Sequence, residues 1–196
     1  MKRTSKVTKR EIVNQTVQSQ ACPARHEVED QSQGAEEVLL ALALAVEQRD
    51  NVTAGHCERL ALTSLALGMS LSLDQASLLA LYRGGYLHDI GKVAIPDAIL
   101  LKPAKLTEEE WVVMQSHPAR GAEICGHLRS LSPVIPLIRH HHERWDGSGY
   151  PDGLRGKEIP LLARILQIAD IYDASATRPR CCSSGAIAGS RPRKPR

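Results

Sequence analysis

Phenylalanine is absent from the chain and aromatic residues of any kind make up only 3% of it, so a folded interior must be assembled from leucine, isoleucine, valine and alanine. Leucine and alanine enter helices at little cost, whereas strands draw on β-branched and aromatic side chains. The constraint favours packed helices. No stretch alternates apolar and polar residues with the period of a half-buried strand, and the expected fold class is all-α.

With 196 residues, 42% of them hydrophobic and 24% charged, the chain has the balance of one globular domain with appendages. Its longest strongly apolar run, Val38 to Val46, is far short of the roughly 20 residues that a membrane-spanning helix needs. The basic N-terminus has no apolar stretch behind it and does not read as a secretory signal, so a cytoplasmic location with no membrane segment is expected. Cys22, Cys57, Cys125, Cys181 and Cys182 include no CxxC pair, which argues against a zinc knuckle or a disulfide framework and for reduced thiols.

The formal charge of +3 is unevenly spread. Six basic residues against one acidic in residues 1–25, and six basic with none acidic in 174–196, leave residues 26–173 with −8. An anionic substrate of so acidic a body would need bound cations to attract it. The basic flanks come with no recognition helix or aromatic stacking platform, and no specific nucleic acid is expected as a partner.

Residues 1–33 are polar and aperiodic and read as a disordered or linker segment in which no sensor or receiver domain fits; 34–174 form the folded domain; 175–196 form a basic irregular tail. Helices are expected at Glu36–Arg49, Gly55–Met69, Leu73–Leu87 with Ser72 or Asp74 as cap, from Thr107, and at Pro118–Leu128, Pro133–Glu143 and Leu161–Asp173. The proline-rich segment 92–106 reads as a loop. Gly84 and Gly85 weaken their helix by about 1 kcal/mol each relative to alanine, which points to close packing beside His88.

Chemistry concentrates where histidines stand beside acids: His88-Asp89, the triplet His140-His141-His142 before Glu143, and Asp170 with Asp173 on one late helix. Imidazole with carboxylate is a ligand set for iron, manganese, zinc or nickel, whereas a structural zinc site would use thiolates. An isolated histidine is more often a surface or satisfied core residue, and His26 and His127 are read so. Asp173, one turn from Asp170, either orients a metal ligand or sits on the helix surface.

HDIGK at 88–92 resembles the hallmark of the HD superfamily of metal-dependent phosphohydrolases, and HHERWDGSGYP at 141–151 resembles the motif that names its HD-GYP branch. The similarity continues through GHCER at 55–59, YRGGYLHDIGKVAIPDAIL at 82–100, Met114 to Pro118 and ARILQIADIYDA at 163–174, covering residues 36–174. The resemblance implies a helical bundle around a dinuclear metal site that hydrolyses cyclic di-GMP to pGpG or GMP. By motif position it implies His56, His88, Asp89, His117, His141, His142 and Asp170 as ligands of two divalent ions, iron or manganese. Asp89 would bridge them and Lys92 would contact the scissile phosphate. Gly149, Tyr150 and Pro151 would form a structural and regulatory loop, and His140 would not be a ligand.

Two positions depart from the family pattern. Members with three metals carry a glutamate where this chain has Val52, so two metals are expected. Beyond the late aspartate helix only ATRPR precedes the tail, with Arg178 in the place of a family arginine, so the domain reads as incomplete at its C-terminal end. The alternative function is a truncated, non-catalytic HD-GYP module that binds metal and contacts signalling-protein partners.

Overall fold

The computed structural model describes residues 23–50 and 54–176, with side chains from residue 34 onward. The expectations for residues 1–22, Val52 and the tail from 177, Arg178 included, lie outside the described residues. Within them run α1 Pro23–Arg49, α2 His56–Ser70, α3 Gln75–Leu87, α4 Asp97–Leu100, α5 Glu108–Met114, α6 His117–Cys125, α7 Ile135–His140 and α8 Leu161–Ala176. Short 3₁₀ turns lie at Ile90–Ala94, Arg129–Leu131 and Gly156–Glu158. There is no strand among the described residues, only an isolated antiparallel bridge between Asp146 and Arg155. The all-α expectation holds.

Helix starts follow local chemistry. The Asp74 carboxylate accepts the Ser77 N–H at 2.9 Å and opens α3. Thr107 and Glu110 form a reciprocal capping box at the start of α5. Two expectations need correction. Helix α1 begins at Pro23, so residues 23–33, read as part of a linker, are helical. The segment 92–106 is not loop throughout: Pro96, with φ −60°, precedes the single helical turn α4, whose first residue, Asp97, suits a helix N-terminus.

The interior is aliphatic, as the composition required. Its fully buried side chains include Leu60, Leu81, Leu87, Ile90, Leu131, Leu137, Ile138 and Leu166; among the described residues no Tyr or Trp is fully buried, and Tyr86 packs against the core only in part. Each such burial is worth about 1.5–3 kcal/mol against exposure. One cluster joins α1, α3, α6 and α7, and a second joins α2, α3, α7 and α8.

Two glycines set the spacing that the site depends on. A Cβ at Gly85 would lie 2.4 Å from the Ala61 Cα, so α2 and α3 meet backbone to backbone. A Cβ at Gly91 would lie 1.9 Å from the His117 carbonyl oxygen, so the turn after α3 lies directly against the first turn of α6. The end of α1 is fixed to the same region: the Arg49 guanidinium donates to the Ile95 carbonyl at 2.8 Å and to the Asp97 carboxylate.

Candidate metal centre

Helix ends converge on one point. His56 opens α2, His88 follows α3, His117 opens α6, His141 and His142 follow α7, and Asp170 comes from α8. Because Gly85 lets α2 and α3 touch, the rings of His56 and His88 stand 5.5 Å apart. The seven residues form two groups: His56, His88 and Asp170, then Asp89, His117, His141 and His142. Within each group one nitrogen or oxygen per residue lies within 4.8 Å of all the others.

Asp89 stands between the groups. Its Oδ2 is 3.2 Å from His88 Nε2, while its Oδ1 is 3.1 Å from His117 Nε2 and 3.8 Å from His141 Nε2. Asp89 Oδ1, His117 Nε2 and His141 Nε2 are buried and none of them makes a hydrogen bond. Buried polar atoms without partners cost about 1–3 kcal/mol each, so their convergence calls for a cation. The donor set fits one: imidazoles and carboxylates, with no thiolate.

The opposite edges of the rings are held. Nδ1 of His88, His117 and His141 lies 3.0, 2.8 and 2.7 Å from the carbonyl oxygens of Gly85, Met114 and Ile138 respectively. His56 Nδ1 lies 2.7 Å from Asp173 Oδ2. A carbonyl can only accept, so Nδ1 carries the proton and Nε2 is left as the lone-pair donor turned into the site.

Electrostatics keep the site ready for a cation. Burial holds His142 well below the usual imidazole range and lowers His141 as well, so both are free bases at neutral pH. Burial also opposes charge on Asp89, but His88 and Lys92 outweigh it and hold the carboxyl well below the usual range. Burial pushes His88 down, yet the Asp89 charge prevails and its pKa is raised. The Lys92 ammonium lies 2.7 Å from Asp89 Oδ2 and 2.5 Å from Asp50 Oδ2, and these two acids raise its pKa against the effect of burial.

The loop at 149–151 packs beside this centre. Gly149 passes so close to residues 143–144 that a Cβ would lie 2.3 Å from the Arg144 nitrogen. Tyr150 stacks on His142, and Pro151 follows through a cis peptide bond. His140 points elsewhere, its Nδ1 3.5 Å from Asp152 Oδ2 and 3.8 Å from Glu143 Oε1.

The HD domain family profile matches residues 38–188 of the chain. The chain belongs to the HD-domain family, in its HD-GYP branch. It is 45% identical over 151 residues to a cyclic di-GMP phosphodiesterase response regulator of Xanthomonas campestris, covering 76% of this chain and 39% of that protein. It is 42% identical over 147 residues to a 3'3'-cGAMP-specific phosphodiesterase of Vibrio cholerae, covering 74% of this chain and 28% of that protein. The chain thus spans well under half the length of these relatives. Among solved structures, an HD-GYP-type protein of Bdellovibrio bacteriovorus aligns at 25% identity with a TM-score of 0.52, over 65% of this chain and 43% of that one. The HD domain of a Listeria monocytogenes phosphodiesterase, solved with cyclic di-AMP, shares the fold at 21% identity and a TM-score of 0.53, covering 76% of both chains.

Around the HD-GYP centre, Arg59 and Gln167 were not singled out from sequence, and Glu143 was named only as the acid that follows the histidine triplet. Arg59 donates to both carboxylate oxygens of Asp173 at 2.7 and 3.0 Å, and Asp173 is buried, so its surface alternative is set aside. Glu143 accepts three backbone N–H groups of the loop, and Gln167 of α8 donates to the carbonyls of His141 and Glu143 at 3.1 and 2.5 Å. Only Glu143 carried a usable signal, as a full-charge acid beside His142 in a stretch that folds inward.

Proposed function

We propose that this domain is a metal-dependent phosphodiesterase that hydrolyses cyclic di-GMP to pGpG, GMP or both, in bacterial second-messenger signalling. The observation that carries the reading is the pair of ligand groups meeting at Asp89, with Lys92 on the same carboxylate. The names of the relatives, phosphodiesterases of cyclic di-GMP and of cGAMP, support the substrate class.

His56, His88 and Asp170 would hold one divalent ion and Asp89, His117, His141 and His142 the other, with Asp89 also lying beside His88; iron or manganese would suit this donor set. Such a pair supplies Lewis acidity that neutralises phosphate charge and acidifies water. The chain's own groups do the rest. Lys92, held between Asp50 and Asp89, presents a fixed positive charge to the scissile phosphate without reorganising during the reaction. Asp173 and the carbonyls of Gly85, Met114 and Ile138 keep the imidazoles in the tautomer that binds a cation.

A second reading, a non-catalytic module that binds metal and contacts signalling proteins, draws on the exposed apolar residues Ile168, Ile171 and Tyr172 of α8.

The test is anaerobic purification with iron or manganese, metal analysis, and incubation with cyclic di-GMP, 3'3'-cGAMP and cyclic di-AMP in parallel. A His88→Ala, Asp89→Ala double variant serves as control. Two ions per chain, with hydrolysis abolished in the variant, is the expected result. Metal without hydrolysis of any dinucleotide overturns the enzyme reading in favour of the module.

A further inference from the structure

Four of the five candidate histidine ligands have Nδ1 tied down, by Asp173 or by a backbone carbonyl. His142 does not: its ring makes no hydrogen bond among the described residues. An imidazole without such a tie is free to rotate about χ2 and to exchange tautomers, and it is a poorer ligand for both reasons. Something else has to fix it.

That contact is aromatic. The Tyr150 ring lies 4.8 Å from the His142 ring, centroid to centroid, with 28° between the planes, a stacked pair. The Tyr150 N–H also donates to the His142 carbonyl at 3.3 Å, so backbone and ring register together. Behind Tyr150 stands Trp111 of α5, edge to face at 6.3 Å and 79°. On its other sides His142 meets His117 edge-on at 5.0 Å and His141 at 4.1 Å. The Tyr150 hydroxyl makes no hydrogen bond among the described residues, so the part of Tyr150 in use is its ring face. Stacked and edge-to-face pairs contribute beyond the area they bury, and they constrain angle as well as distance.

We propose that Tyr150, backed by Trp111, is the positioning residue for His142: its ring face takes the place of the missing Nδ1 hydrogen bond and aims the imidazole at the Asp89, His117 and His141 group. This rests on the proposed reading of the centre as a metal site. It also assigns a function to the α5 tryptophan, which precedes His117 by six residues and belongs to neither ligand group.

The test compares wild type, Tyr150→Phe, Tyr150→Leu and Trp111→Leu, each loaded with cobalt(II) under anaerobic conditions. Metal affinity is measured by chelator competition, the ligand field by visible absorption, and global folding by thermal unfolding. Tyr150→Phe is expected to match wild type in affinity and spectrum. Tyr150→Leu is expected to weaken one of two ions 10–100-fold and change its spectrum, as loss of a ligand's outer support does, while the other ion stays bound. Trp111→Leu is expected to follow it with a smaller loss.

A Phe variant as damaged as the Leu variant overturns the proposal in favour of a hydroxyl role. Equal loss of both ions with an equally lowered melting temperature overturns it in favour of general packing. A wild type that binds no cobalt sinks the metal reading itself. Stacking is then judged from the ¹⁵N shifts of His142 in the metal-free protein, and a Tyr150→Leu variant that leaves them unchanged overturns the positioning role.

Discussion

His56 Nδ1 and Asp173 Oδ2 lie 2.7 Å apart although 117 residues separate them in the chain. The contact joins the first residue of α2 to the last full turn of α8, and Arg59 holds the far side of the same carboxylate. Of the four tied imidazoles, His56 alone leans on a charged group, and its tie is therefore the one a single substitution removes most completely. Asp173→Ala is expected to weaken metal binding about 10–100-fold, measured by chelator competition, while Arg59→Met has a smaller effect because the carboxylate stays in place.

The same pair sets an acid limit. The Arg59 hydrogen bonds and then His56 lower the Asp173 pKa below its usual value of 3.8, so the ionised form is favoured in the folded state. A depressed carboxylate stabilises the fold above its unfolded pKa and loses that contribution as pH falls through the folded one. Arg59→Met is therefore expected to cost about 1–3 kcal/mol at pH 7. The difference in melting temperature from wild type should shrink below about pH 4. A gap that is unchanged at pH 3 would count against this linkage.

Gly91→Ala tests how the turn after α3 is seated. The added methyl would meet the His117 carbonyl oxygen at 1.9 Å and the Gly121 nitrogen at 2.6 Å, both backbone atoms that cannot step aside. Separating the turn from α6 would pull Asp89 away from His117. The substitution is expected to destabilise by about 3 kcal/mol or more and to lower metal occupancy with it. Chemical denaturation and metal analysis on one preparation check both effects.

What sequence reveals here is what short spacings encode. Asp74 before α3 and Thr107 with Glu110 before α5 are caps that act within three residues, and both were readable. So was the aliphatic, all-helical core, because a chain without phenylalanine has few other ways to fill an interior. HDIGK and HHERWDGSGYP pointed to the candidate site through the family resemblance they carry, and the fold sets both motifs at helix ends that face one small volume. The start of α1 was hidden by polar composition, since helix formation there uses no apolar stripe for a reader to find. Arg59 to Asp173 and Trp111 to Tyr150 were hidden for a different reason: contacts between distant segments leave no period, and the tertiary fold alone creates them.

Glu143 offers the sharpest separation of loop order from ligand chemistry. Its side chain is completely buried, and Oε1 accepts the N–H groups of Asp152 and Gly153 at 2.7 and 3.1 Å while Oε2 accepts that of Leu154 at 3.0 Å. Three backbone donors on one carboxylate fix the chain just after Tyr150 and Pro151, yet Glu143 groups with His140 and Asp152 and not with either set of candidate ligands around Asp89 and Asp170. Glu143→Gln keeps size and one acceptor but turns an NH₂ group towards a donor, leaving a buried N–H without a partner. A loss of about 2–4 kcal/mol is expected, from charged hydrogen bonds and an unsatisfied group together. If the loop supports only its own end of the site, weakened metal binding should be confined to the ion near His142, leaving the His56, His88 and Asp170 group loaded. Equal loss at both groups would mean that Glu143 holds the whole centre together, and metal analysis beside urea unfolding of the same variant decides between these outcomes.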